Sequence, residues 1–183
     1  MVVLHVRWAA ASSSSSPTTP TSPEVGEEEE MEFLHECTAS TPVEDVAAAL
    51  AGVAALQARL LFLCRSLRER GAAAAAAAAG EVERAVAEAE SYASKGQVRH
   101  KRFLSPRALR EHIKNIEKTA VTTLQESPEG LCLQQKSSGD KHENVQLWWA
   151  GKELAMGKKL CDYIGVNDKT KIVIRLKHVP QSS

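Results

Sequence analysis

Aromatic side chains are scarce in this chain, with three Trp, two Tyr and three Phe among 183 residues. The scarcity bears on nucleic acid. The basic stretch from Lys95 to Lys118 would suit a phosphate backbone by charge, but Phe103 is its sole aromatic, so no stacking platform is available there. Cysteine is sparse as well: Cys37, Cys64, Cys132 and Cys161 are far apart, with no Cys-x-x-Cys pair and no matched His pair. A structural zinc site needs ligands grouped on short turns, so none is expected, and reduced thiols in a cytosolic or nuclear protein are the default. No apolar run approaches the length of a membrane span, and His5 and Arg7 interrupt the short one at the start, which argues against a secretory signal.

Catalytic constellations are missing in the same way. His35 and Cys37 lie two apart on a proposed strand, while His100, His112, His142 and His178 are scattered. A His and Cys so placed are more often core or surface than nucleophile and base. "GKELAMGKK" has the look of a phosphate-binding loop, but its two glycines are one residue too far apart. Lys159 also stands where a metal-binding hydroxyl is needed. No enzyme, cofactor or metal is expected.

What is present is charge in blocks. The total is zero, 23 acids against 23 bases, but Glu24 to Glu36 holds seven acids and no base. Lys95 to Lys118 holds eight bases against two acids, and Lys152 to Lys177 seven against three. Such blocks are usually solvated surface; the first two could also contact each other. Much of the apolar content is alanine, notably Ala72 to Ala79, which leaves enough for one compact domain with appendages.

Val2, Leu4 and Val6 alternate with Val3, His5 and Arg7, the period of a half-buried strand. The first 23 residues are free of acids and rich in Ser and Thr, so an organelle transit peptide is the competing reading. A loop of low apolar content, residues 9–30, is expected to be disordered. "EFLHECT" then suggests a second strand with Phe33, His35 and Cys37 on one face and Leu34 and Glu36 on the other. In "STPVEDVAAAL", Thr41 suits an N-cap, Pro42 the first helical position and Glu44 the reach back to the cap. Val43, Val46, Leu50, Val53, Leu56, Leu60, Leu63 and Leu67 recur at helical spacing as one buried stripe. Poly-alanine reads as a spacer before a second helix from about Glu81 to Lys95, carrying Val82, Val86 and Tyr92. A third helix is expected with Ser105 as N-cap and Pro106 at its first position. It buries Leu109, Ile113, Ile116, Ala120 and Leu124, and turns Arg107, Arg110, Lys114 and Lys118 outward. Residues 127–144 read as loop with a short strand at "LCLQ".

The C-terminal block is the most distinctive. Gly151 suits a turn with positive φ, and Leu154 plugs back into the core. Leu160 and Tyr163 flank Asp162 in a helical corner, and Ile172, Ile174 and Leu176 alternate with Val173, Arg175 and Lys177. "LWWAGKEL" with "GKKLCDYIGVNDKTKIVIRL" resembles the second half of ubiquitin and its relatives. Together with "MVVLHVR", "EFLHECTASTPVEDV" and "ASKGQV", the block is similar to the Kurly family of cilia- and flagella-associated proteins. Trp148-Trp149, Lys152-Glu153-Leu154, Lys158-Lys159-Leu160, Asp162-Tyr163 and Lys169-Thr170-Lys171-Ile172 carry most of that resemblance.

The resemblance implies an α+β fold: a ubiquitin-like β-grasp sheet, first and last strands parallel at its centre, split by a helical insertion. Residues 1–70 and 145–179 would supply the two halves, 71–144 the insertion and 180–183 a tail. It also implies a non-enzymatic adaptor for cilium motility, acting in cytoplasmic preassembly of axonemal dynein arms with dynein arm subunits and co-chaperones as partners. A membrane has no part in that picture, and nucleic acid is disfavoured. The location would be the cytoplasm, with the nucleus or cilium base open, as is organelle targeting by the Ser-rich start. The alternative is a ubiquitin-like interaction domain without a ciliary role. Conjugation as a modifier would need a terminal di-glycine, and the chain closes on "KHVPQSS". Relatives usually continue into a charged helical tail, so any assembly contact held there would lie beyond these 183 residues. The expected contact surface comprises Trp148, Trp149, Lys152, Lys158, Lys159, Lys169 and Lys171, with one Trp in the core and the other exposed or covered by the inserted helices.

Overall fold

A computed structural model describes residues 1–9, 30–71, 76–94, 96–124 and 145–178, which form a five-stranded mixed sheet with helices packed on one face. Strand β1 (Val2–Ala9) runs antiparallel to β2 (Glu30–Cys37) on one side and parallel to β5 (Lys171–His178) on the other. β5 is in turn antiparallel to β3 (Val145–Trp149), which folds back into the two-residue β4 (Lys152–Glu153). The order is β2-β1-β5-β3-β4, so the first and last strands lie together at the centre, in parallel.

Those two central strands have the strictest alternation, because each is flanked by neighbours and has one face against a helix. Val2, Leu4, Val6 and Trp8 of β1 and Ile172, Ile174 and Leu176 of β5 are all buried. β1 runs further than "VVLHVR" indicated, and Trp8 simply continues its parity into the core. β2 keeps the expected alternation of faces, but its burial does not follow it. Phe33, opposite Val6, faces the core, whereas Leu34, opposite His5, faces away yet is only 2% exposed. The cause lies elsewhere in the chain: Phe103 forms an isolated parallel bridge to Leu34 and extends the sheet beyond its β2 edge.

Helix α1 (Val43–Gly71) lays its stripe on the sheet, with Val43, Val46, Leu50, Val53, Leu60, Leu63 and Leu67 buried and Leu56 partly so. Two expectations about it need correction. The helix starts one residue later than Thr41 and Pro42 suggested, because the Thr41 hydroxyl is engaged by Thr38 at 2.8 Å, and the Val43 N–H is satisfied by the Lys158 carbonyl. It is also long and apolar enough to cross a membrane by length and composition, contrary to the expectation that no run approaches a span. Its charges gather at its ends, with Arg59 the main interruption, and its apolar stripe is occupied by this protein's own core.

The remaining helices are α2 (Ala76–Ala93), α3 (Gly96–Arg99) and α4 (Pro106–Leu124). Val82, Val86, Ala89, Leu109, Ile113, Ile116 and Ala120 join the core cluster that α1 shares with the sheet. α2 begins inside the poly-alanine tract rather than at Glu81; residues 72–75 lie outside the described set, as do 10–29, the "LCLQ" segment and the tail. Arg59 of α1 pairs with Glu117 of α4 at 2.7 Å, and Arg68 with Glu90 of α2 at 2.6 Å.

Two buried amides fasten this layer to the sheet. Gln57 accepts a hydrogen bond from Trp8 Nε1 at 3.2 Å and donates to the Ala93 carbonyl at 2.8 Å and the Glu32 carbonyl at 3.4 Å. Gln97 donates to the same Glu32 carbonyl at 3.0 Å. Burying an amide is costly unless it is bonded, so these partners fix where α1, α2 and α3 meet β2.

The C-terminal segment closes on the N-terminal one through the corner helix α5 (Cys161–Ile164). Leu160 N–H donates to the Thr41 carbonyl at 3.0 Å, Cys161 N–H to the Ala39 carbonyl at 2.7 Å, and Ala39 N–H to Asp168 Oδ1 at 3.1 Å. Leu154 and Leu160 are buried, and the Tyr163 hydroxyl accepts from Ala155 N–H at 2.7 Å.

Candidate functional site

Opposite the helix-covered face, the sheet turns a second face to solvent. Strand register determines its membership: Lys171, Val173, Arg175 and Lys177 from β5, Val3, His5 and Arg7 from β1, Gln146 and Trp148 from β3, and Glu153 from β4. Trp148 is half-buried opposite Arg175, and its Nε1–H donates to Gln146 Oε1 at 3.4 Å. Lys177 Nζ sits 4.5 Å from the Trp148 ring centroid, a cation–π contact. Beside them Val173 is 49% exposed, an uncommon position for a large apolar side chain on a polar face.

Trp148, Ala150, Gly151, Val173, Arg175 and Lys177 line an open concavity of about 390 Å³. Its rim is the two-residue turn between β3 and β4, where both Ala150 (φ 51°) and Gly151 (φ 80°) are left-handed. Positive φ at both central residues matches the twist of the flanking strands and keeps the hairpin tight. Glycine adopts it freely; alanine does so at a cost of about 1 kcal/mol or more.

Charge on this face is graded. Glu32 of β2 contacts His5 at 2.8 Å and Arg7 at 3.7 Å, and Glu30 pairs with Arg175 at 3.5 Å. The described end of the acidic run thus meets bases of β1 and β5, not the basic stretch from Lys95 to Lys118. Lys171 and Lys177 form no ion pair among the described residues, so positive potential persists toward β3.

The expected contact residues do not all converge. Trp148 and Lys171 are on the open face. Trp149 is on the opposite side, opposite Ile174, half-buried against the core, and Lys152 is its neighbour on β4. Lys158 and Lys159 lie at the α5 corner; Lys158 Nζ is 5.9 Å from the Tyr163 ring, and Lys159 N–H donates to Asp162 Oδ2 at 3.0 Å. Lys169 lies in the turn entering β5, its N–H donating to Asn167 Oδ1 at 3.1 Å. Val173, Arg175 and Lys177 complete the surface. The period of two in "KIVIRLK" groups them with Lys171, but only strand register brings Trp148 alongside.

Other chemistry-bearing groups are less exposed. His35 and Cys37 share the core-side face of β2 with Phe33, half-buried. Burial pushes the Cys37 thiol up to about 11 and lowers the His35 imidazole from its ordinary value, the latter opposed by Glu36. Cys64 is likewise raised to about 11, first by burial and then by Glu90. Among the described residues no three metal-ligating side chains cluster. On α4, Arg110, Lys114 and Lys118 are exposed, and Arg107 pairs with Glu111 at 3.4 Å.

Fold and surface define an α+β protein with one sheet face buried under helices and the other presenting an apolar notch among cations. Residues 145–183, which carry that notch, match the family model described as cilia- and flagella-associated protein 298. Cilia- and flagella-associated protein 298 of Danio rerio is 61% identical over 36 residues, 20% of this chain and 12% of the relative. The Homo sapiens protein of that name is 49% identical over 43 residues, 24% of this chain and 15% of the relative, and the Drosophila melanogaster one 49% over 35 residues, 19% and 12%. The alignments thus span less than a sixth of these relatives' own length. No solved structure matches the chain.

Proposed function

We propose that this protein is a non-enzymatic adaptor for cilium motility, acting in cytoplasmic preassembly of axonemal dynein arms. The observation that carries the reading is the family match of residues 145–183, the same segment that builds the Trp148 notch. The partners proposed are dynein arm subunits and their co-chaperones, met in the cytoplasm or near the cilium base. The sheet order, with its central parallel pair, supports reading the fold as a ubiquitin-like β-grasp with helices α2 to α4 inserted between its halves. Raised thiol pKa values and a half-buried, neutral-favouring His35 suit a binding role better than a catalytic one.

The test is affinity purification of tagged full-length protein from ciliated cells of its own source, with mass spectrometry, beside Trp148→Ala and Lys177→Glu variants that melt as the parent does. Recovery of dynein arm subunits and co-chaperones is expected. Their absence, with unrelated partners recovered instead, would favour the second reading: an interaction domain of the same fold without a ciliary role. The confinement of the match to the C-terminal segment is the observation that keeps that reading in play.

A further inference from the structure

We propose that the open face of the sheet binds an acidic, extended segment of a partner protein, which inserts an aliphatic or aromatic side chain into the notch between Trp148 and Val173. The idea deepens the adaptor reading and rests on it for the use of this face; the chemistry comes from the notch itself.

An exposed valine beside a half-buried tryptophan, whose ring meets Lys177 on one side, is an apolar floor open to solvent. At about 390 Å³ and open to solvent, it lies at the small end of ligand pockets, suited to a side chain delivered on a chain rather than to an enclosed small molecule. Tryptophan and arginine in such a setting are the residue types that dominate binding energy at protein interfaces.

Charge then selects the chain that delivers it. Arg175 and Lys177 line the notch, and Lys171 follows on the same face of β5. A basic segment would be repelled, and a neutral one would offer no counter-charge to Lys171 and Lys177. Carboxylates flanking the inserted residue can reach Lys177, whose ammonium is held over the Trp148 ring, and Arg175, whose existing partner Glu30 is at 3.5 Å. Glu30 and Glu32 lie on the far side of the face, so an acidic segment is favoured along β5 and β3 and disfavoured toward β2. This asymmetry also favours a peptide over an anionic bilayer. A flat membrane would press Glu30, Glu32 and Glu153 against its own charge, while few cations, at about 1 kcal/mol each near the surface, would hold it. An extended conformation is implied because alternate side chains of a strand face one way, placing one apolar residue in the notch and acids outside it.

Fluorescence polarisation of the full-length protein with labelled twelve-residue peptides tests this directly. The probes are an alternating Glu/Leu peptide, the same with Ser for Leu, and the same with Lys for Glu. Saturable binding of the Glu/Leu peptide is expected, roughly tenfold weaker with Ser, absent with Lys, and weakened by added salt. Trp148→Ala and Lys177→Glu should each lower affinity roughly tenfold with the thermal melt unchanged. Should Trp148→Ala lower the melt, Lys177→Glu decides. Equal binding of the Ser and Leu peptides, indifference to Lys177→Glu, or no saturable binding would overturn the proposal. So would Lys177-dependent sedimentation with phosphatidylserine vesicles, or Lys177-dependent dimerisation, in the absence of peptide binding. No axonemal component is involved, so dynein subunits recovered with the Lys177→Glu variant would separate failure of this inference from failure of the adaptor reading.

Discussion

The two faces of the sheet are made by the same strands, yet they are built on different terms. On the helix-covered face, Val2, Leu4, Val6, Trp8, Phe33, Leu147, Ile172, Ile174 and Leu176 are shielded from water without exception. On the open face the same strands offer His5, Arg7, Lys171, Arg175 and Lys177, with one apolar notch at Trp148 and Val173. Alternation thus accounts for each face as a whole. It does not account for Val173, whose side chain contributes little to the core and leaves surface free for something else.

The comparison breaks if the faces respond alike to truncation. Leu4→Ala or Ile174→Ala should cost about 2–5 kcal/mol, since both side chains are fully buried in the central strands; Val173→Ala should stay within about 0.5 kcal/mol. Urea unfolding of the three variants decides, and equal losses would mean that the open face is covered in solution. Gln57→Leu is next in size. It strands Trp8 Nε1 and the Ala93 carbonyl, while Gln97 still serves the Glu32 carbonyl, and should cost roughly 1–3 kcal/mol in the same assay.

A smaller effect separates turn from strand. Gly151→Ala should destabilise by about 1–2 kcal/mol through its positive φ alone, because nothing within 4 Å opposes an added methyl group. The smallest effect concerns His35 on the core-side face. Burial lowers its pKa from the ordinary 6.5, so the folded protein favours the neutral ring. Stability is then fully present above that ordinary value and declines as pH falls through the lower, folded one. Thermal melts from about pH 7.5 to about 5.5 should therefore show a slope that His35→Gln reduces.

Much of the core face was legible because burial imposes a period. The stripes of α1 and α4 and the alternation of β1 and β5 are written in apolar spacing, and Leu154 and Leu160 in the turns around them. What escaped is set by partners distant along the chain. The strand read from "VVLHVR" stops at Arg7, although the parity of Trp8 fits β1. The face of Leu34 is legible but its burial is not, because Phe103, which bridges to it, is remote in sequence. Thr41 has every local mark of a cap, yet its hydroxyl is taken by Thr38, and the helix is started by the Lys158 carbonyl. The site follows the same rule. Trp148 and Lys171 were legible as unusual residues, but Val173, Arg175 and Lys177 become one surface with Trp148 only through register. Lys152, Lys158, Lys159 and Lys169, equally prominent in sequence, are dispersed by it.

The pairing of β1 with β5 also has a consequence for biosynthesis. Val3 must wait for Lys171, so the centre of the sheet cannot close until nearly all the described chain has left the ribosome. At about 5–20 residues per second, that interval is on the order of tens of seconds. Throughout it Val2, Leu4, Val6 and Trp8 lack their parallel neighbour, and the apolar stripe of α1 lacks half its bed. The central pair of the sheet is therefore among the last contacts that synthesis allows to form.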